Sequence, residues 1–275
     1  MPNTTIGDTI ISILPSISLP LMATITAIGL TLIYASHLDL RSRRVPHKIW
    51  RPALIIALPA IIWIYGQICL TDPRVALIYF PISIITCAVL LCAAIKNFFG
   101  GADAYALIII TLCIPFVPWL GICEGFFPRA VLGNTVIMTL IVPIMVLAKN
   151  LIQGNKAPMP YLFTASQVPS TAIQNEFGHV VEDIEEQDGR LVRRFISFSE
   201  YSRRRLEGDR ITTIEDLTAH PEHYGDKLDL YQKAGHVWIS HSIPFIVLIT
   251  AGYFSALIAG DLLGALILTL VETIL

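Results

Sequence analysis

Charged side chains are scarce in this 275-residue sequence: Asp, Glu, Lys and Arg make up 15% of it, whereas 54% of the residues are apolar. Mean hydropathy is +0.66. Such a composition excludes water as the main solvent of the fold and indicates an integral membrane protein. Cysteine is sparse as well. Cys69, Cys87, Cys92, Cys113 and Cys123 form no C-x-x-C pair and have no histidine at ligand spacing, which argues against a zinc site. Cys69 and Cys123 both fall in loops assigned outside the membrane, but nothing supports bonding geometry between them, and no disulfide is expected. The chain lacks a Walker A loop, a dinucleotide fingerprint and an internal repeat, so no cofactor, metal or nucleic-acid partner is expected. The opening MPNTTIGDTIISILPSISLP has no basic n-region, and the apolar stretch after it ends in charge, so the first helix is expected to stay.

What the sequence does have is long apolar runs. Crossing a bilayer takes roughly twenty apolar residues in a helix. The runs that meet this are Ser18–Leu38, Pro52–Leu70, Val75–Ile95, Ala104–Ile122, Ala130–Ala148 and Ile239–Ala259. Pro59, Pro81, Pro115, Pro118 and Pro143 fall inside them and are expected as tolerated kinks. The fold class is therefore an all-α polytopic membrane protein of about six transmembrane helices with a small soluble cytoplasmic insertion before the last. Residues 1–150 form the membrane domain, 151–238 the insertion and 239–275 the last span with a tail. Beyond Gly260-Asp261, Leu262–Leu275 is too short to cross easily and reads as interfacial, with a strongly tilted seventh span left open.

Basic residues favour the cytoplasmic side. Arg41, Arg43, Arg44, Lys48, Arg51, Lys96 and Lys149 gather on one face, whereas the opposite loops have Arg74 and Arg129. The N-terminus is thus expected outside and the insertion inside. That insertion holds ten Lys/Arg and fourteen Asp/Glu and reads as α-rich or α+β. Within it ITTIEDLTAHPEHYG suggests a short helix with Thr212 or Thr213 near its N-cap, closed by Pro221.

Outside the insertion, this topology sends Asp8, Asp72, Glu124, Asp261 and Glu272 to the external side or its interface. Only Asp39 and Asp103 fall at cytoplasmic ends of spans. Two aspartates hydrolyse a peptide bond when one activates water and the other, protonated, polarises the carbonyl, a division that follows from holding one proton between two close carboxylates. Each acid also has a plain reading. Asp39 can be a solvated partner of Arg41 and Arg43, and Asp103 can be a helix N-cap after Gly-Gly-Ala.

The surroundings of both acids add a resemblance. Asp39-Leu40-Arg41-Ser42-Arg43-Arg44-Val45-Pro46-His47, Phe99-Gly100-Gly101-Ala102-Asp103-Ala104 and Ile243-Pro244-Phe245 together resemble the GxGD-type aspartic proteases, specifically the archaeal prepilin and preflagellin peptidases. Two positions depart from that pattern: Ala102 stands where Gly is usual and His47 where Asn is commoner. The resemblance implies catalytic Asp39 and Asp103, a supporting loop of Gly100, Gly101 and Ala102, and no cofactor. It also implies cleavage of class III signal peptides from pilin-like or archaellin precursors at the cytoplasmic membrane boundary. Gly100 and Gly101 would allow close backbone approach and set the reach of Asp103. His37 reads as interfacial rather than as a tuner of Asp39. The acidic run Glu182, Asp183, Glu185, Glu186 and Asp188 is a candidate contact for a basic leader.

Two other readings compete. An intramembrane protease of the presenilin type would carry its second Asp within a span and a longer PAL-like element, and neither is present. A transporter or membrane scaffold whose insertion binds a partner would show mid-membrane charges or related halves, and the sequence shows neither.

Overall fold

A computed structural model describes residues 6–96, 100–118, 125–197, 199–200, 203, 214, 217 and 223–274. The chain forms two compact units, Met1–Thr139 with Pro244–Leu275, and Leu140–Ile243.

The first unit is helical. Helix α1 (Ile6–Ser42) buries Ile10, Ile13, Ile17 and Leu21 at steps of three and four, one face of a helix, and leaves Leu19 and Leu30 exposed on the other. Helices α2 (Arg51–Thr71) and α3 (Pro73–Ile95) carry similar outward rows, including Ile62 and Leu77, the expected dress of helices solvated by lipid. Helix α4 (Gly101–Cys113) is different. It buries Ala104, Ala106, Leu107, Ile109, Ile110 and Cys113, so neighbours cover it on nearly every side. Helix α5 (Phe127–Ile152) begins in this unit. Helices α8 (Phe245–Ala259) and α9 (Leu262–Ile274), numbered after two in the second unit, complete it. Gly252 lets α8 lie directly on α5, because a Cβ there would collide with Thr135 and with the Val131 carbonyl.

Among the described residues four helices, α1, α2, α3 and α5, are long and apolar enough to cross a membrane. The pair α8 and α9 makes a fifth if its 65° bend is counted as one broken span. The expected sixth span is not found there. Helix α4 has 13 residues, about 20 Å at helical rise, against about 30 Å of hydrocarbon. Pro115 explains its end, since it disfavours helical geometry at Ile114, which takes φ −135° and ψ 74°. Pro59, Pro81 and Pro143 do lie inside helices, as expected of a bundle.

The second unit is α+β, so the all-α expectation holds for the membrane unit alone. Beyond the end of α5 it contains α6 (Met159–Thr164), β1 (Ser166–Pro169), β2 (Gly178–Val180), β3 (Glu182–Gln187), β4 (Arg190–Phe195), α7 (Gly225–Ala234) and β5 (His236–His241). Strands β1, β5 and β2 form an antiparallel sheet in that order, and β3 pairs with β4. Ile239, expected to open the last span, pairs with Ser166 and Val180 inside this sheet, and helix begins only at Phe245 after Pro244. The β3–β4 turn is Asp188-Gly189 with φ of 51° and 71°, the two left-handed residues that a tight hairpin requires. Val168, Val180, Val237 and Ile239 pack with Leu217 and Tyr231 as the core. Ile214 and Leu217 are helical and buried, while Thr212, Thr213 and Pro221 of the expected helix lie outside the described residues, as does Cys123.

Polar groups tie this unit together. Lys149 Nζ approaches Ser166 Oγ at 3.3 Å, Ser166 Oγ lies 2.6 Å from His241 Nε2, and His241 Nδ1 lies 3.2 Å from Glu176 Oε2. Ser166 is 1% exposed, so this chain joins α5, β1 and β5 rather than presenting a nucleophile. Glu182 is buried and accepts from Arg193 Nη2 at 2.7 Å, Arg193 Nε at 3.1 Å and the Trp238 N–H at 2.8 Å. Removing the carboxylate strands the buried Trp238 N–H and takes two bonds from Arg193, which keeps the His236 carbonyl. Glu182→Ala is therefore expected to destabilise this unit by about 3 kcal/mol, read in the full-length protein as roughly hundredfold faster hydrogen exchange of β5 amides.

Candidate active site

Asp39 sits in the last turn of α1 and is buried. The helix ends there because Arg43 adopts a left-handed conformation, φ 52°, while its N–H caps the Asp39 carbonyl at 3.1 Å. Arg43 also brings its positive charge beside the Asp39 carboxylate. The chain then turns through Val45 and Pro46 into a 3-10 turn, His47–Trp50. His47 and Trp50 set their rings edge-on to Tyr105 at 5.0 and 6.1 Å, which fastens this loop to α4 two residues after Asp103. Asp39 Oδ2 accepts the Ile246 N–H at 3.3 Å. Ile246 is the second residue of α8, so its N–H is one of those a helix start leaves without an intrahelical partner.

Asp103 is the third residue of α4, after the N-cap Gly100. Its carboxylate folds back to lie beside Gly100, whose N–H favours the charged form. A Cβ on Gly100 would lie 2.6 Å from Asp103 Oδ2, so a side chain there displaces the carboxylate. Gly101 has nothing within 4 Å of its Cβ position. The close approach expected of both glycines thus belongs to Gly100. Ala102 follows in the first turn, partly buried against the core. Asp103 lies outside the candidate spans. Burial, and secondly the Asp39 charge, push its carboxyl up to about 6, while the Gly100 N–H pulls the other way.

The other sequence candidates behave differently. His37 is exposed, two residues and roughly 200° around the helix from buried Asp39. Arg41 and Arg44 are exposed, and Phe99 lies outside the described residues. The acidic run is largely neutralised, with Glu182 on Arg193, Asp183 on Arg194 and Glu186 on Lys233, which weakens it as a leader contact. Among the described residues no three His, Cys, Asp or Glu side chains converge as a metal cradle. The sequence reading missed Ile246, because a backbone N–H carries no side-chain signature. Pro244, the N-cap of α8, is the one local mark of that helix start.

Two family models match the chain. Residues 26–149 match the type IV leader peptidase family, a stretch containing Asp39, Gly100, Gly101, Ala102 and Asp103. Residues 157–262 match the archaeal peptidase A24 C-terminus type II, a stretch containing the whole sheet and Ile246. No curated protein matches the chain by sequence.

Because the Asp103 carboxyl is raised, the folded state binds more protons than the unfolded chain between the ordinary carboxylate range and about pH 6. Stability from this group is full below that window and is lost as pH rises through about 6. Asp103→Asn is expected to raise the Tm in detergent more at pH 7.5 than at pH 4.5, measured by thermal melts at both values.

Proposed function

Because this chain belongs to the type IV leader peptidase family of membrane aspartic peptidases, we propose that Asp39 and Asp103 are its catalytic pair. The substrates are pilin-like or archaellin precursors, cut at the class III signal peptide. The observation that carries this reading is that two acids distant in sequence lie at helix ends of one unit, close enough that the Asp39 charge, after burial, helps to raise the Asp103 carboxyl.

The proposed chemistry divides one proton between the two carboxyls. Asp39, ionised and held by the Ile246 N–H, takes a proton from water as the oxygen attacks the scissile carbonyl carbon. Asp103 gives its proton to the carbonyl oxygen, so a neutral tetrahedral diol forms. On collapse the C–N bond breaks, Asp39 passes its proton to the leaving nitrogen, and Asp103 recovers one from the diol. The pair ends as it began, with one proton between two carboxyls.

Basic residues near Asp39, Lys96 after α3 and Lys149 in the last turn of α5 support a cytoplasmic site and an N-terminus outside. In that orientation the cleaved bond lies at the inner membrane boundary, before the precursor's apolar helix enters lipid.

Co-expression of the chain with a pilin-like precursor in membranes tests the pair. Asp39→Asn and Asp103→Asn, at normal protein levels, are each expected to abolish the precursor's size shift on a gel. Full cleavage by either variant overturns the aspartic mechanism. In the same assay Gly100→Ala is expected to lose about tenfold or more in rate by displacing the Asp103 carboxylate. Gly101→Ala is expected to cleave within about twofold of wild type, since a better helix former costs an open site nothing.

A further inference from the structure

We propose that the α1–α8 register is a positioning device for Asp39, set by the Ser36–Thr250 hydroxyl pair and delivered through the Ile246 N–H. This inference rests on the catalytic reading of Asp39. The two helices run antiparallel, and their polar contacts form a ladder. Asp39 Oδ2 meets the Ile246 N–H at 3.3 Å. One turn deeper, Ser36 Oγ and Thr250 Oγ1 are 2.7 Å apart. Deeper still, Tyr253 donates from its hydroxyl to the Ile25 carbonyl at 2.8 Å.

The middle rung is the one that fixes register. Thr250 Oγ1 lies 2.8 Å from the Ile246 carbonyl in its own helix and 3.3 Å from the Leu32 carbonyl across the interface. Ser36 Oγ also lies 3.5 Å from the Ile246 carbonyl. The peptide units on both sides of Ile246 are therefore held, one by its N–H on Asp39 and the other by the hydroxyl pair. Leu32, Ile246 and Ile249 are buried around it, and the two hydroxyls are half-buried. A slip of one residue moves α8 by about 1.5 Å along its axis, which parts the Ile246 N–H from the carboxylate. Helix interfaces in lipid gain little from apolar association, so specific polar contacts of this kind decide register.

Ile246 can be tested although its contribution is backbone. Proline is accepted at the second position of a helix, where the missing N–H had no intrahelical partner. This chain already carries Pro52 and Pro160 at that position of α2 and α6. Ile246→Pro thus deletes the donor to Asp39 and keeps the helix start, while Ile246→Val keeps the donor and trims the side chain. Thr250→Val deletes the hydroxyl at nearly constant shape, Thr250→Ser restores it, and Ser36→Ala removes the same rung from α1.

The full-length enzyme in membranes, cleaving a pilin-like precursor, provides the readout. Ile246→Pro, Thr250→Val and Ser36→Ala are each expected to lower kcat by about tenfold or more, with KM within about twofold. Thr250→Ser and Ile246→Val are expected to recover most of the wild-type rate. Wild-type kcat in both Thr250→Val and Ser36→Ala overturns the proposal, even if Ile246→Pro fails to fold. Hydrogen exchange of the Ile246 amide separates this inference from the catalytic reading, because it needs no turnover. Exchange at least tenfold faster in Asp39→Ala and in Thr250→Val than in wild type supports the device. Unchanged exchange in both overturns it, whatever Asp39→Asn does to cleavage.

Discussion

The membrane unit depends on how α1 lies against α8. Lipid offers neither hydrogen bonds nor a strong apolar force between helices, so whatever fixes their register must come from groups on the helices themselves. In this chain those groups are few: a carboxylate, two hydroxyls and a tyrosine, each bonded across or along the interface. The same contacts that satisfy buried polar atoms also decide where the end of α1 stands. Asp39 is thus oriented by structure that continues below it for several turns. The left-handed Arg43 completes the arrangement by ending α1 one turn after Asp39 and turning the chain toward α4.

Much of this was readable from residues because membrane helices obey length and hydropathy. The runs behind α1, α2, α3 and α5 are long and nearly free of charge, and the positions of Asp39 and Asp103 at helix ends follow from where charge resumes. Hydropathy failed where two structures share one composition. VWISHSIPF is apolar enough to pass for the start of a span, yet its first half lies in a buried strand and Pro244 marks the true helix start. The run at Ala104–Ile122 looked long enough to cross, but Pro115 stops α4 short, a case in which local backbone chemistry outweighs apolar length. The Asp188-Gly189 turn was the available signal for strands in the insertion.

Charge in the second unit shows a related ambiguity. A sequence displays five acids close together in residues 182–188 and invites a binding role. The fold instead places basic residues of β4 and α7 opposite three of them. Antiparallel pairing sets Asp183 directly across from Arg194, and a cross-strand pair of this kind is invisible until register is known. Arg193 reaches past its own partner, Ile184, to the buried Glu182, a contact that depends on the strand twist as well as the register.

The two carboxyls stand in different surroundings, both partly withdrawn from water, for reasons that lie in their helices. Asp39 ends a long helix, where the backbone presents carbonyls, and it receives a compensating N–H from the start of α8 and the charge of Arg43. Asp103 begins a short helix that is covered on nearly all sides. The helix start and the Gly100 N–H favour its charged form, but burial is the larger influence and Asp39 adds repulsion. Pro115 keeps α4 short and neighbours cover its body, so burial rather than the helix start governs the Asp103 carboxyl.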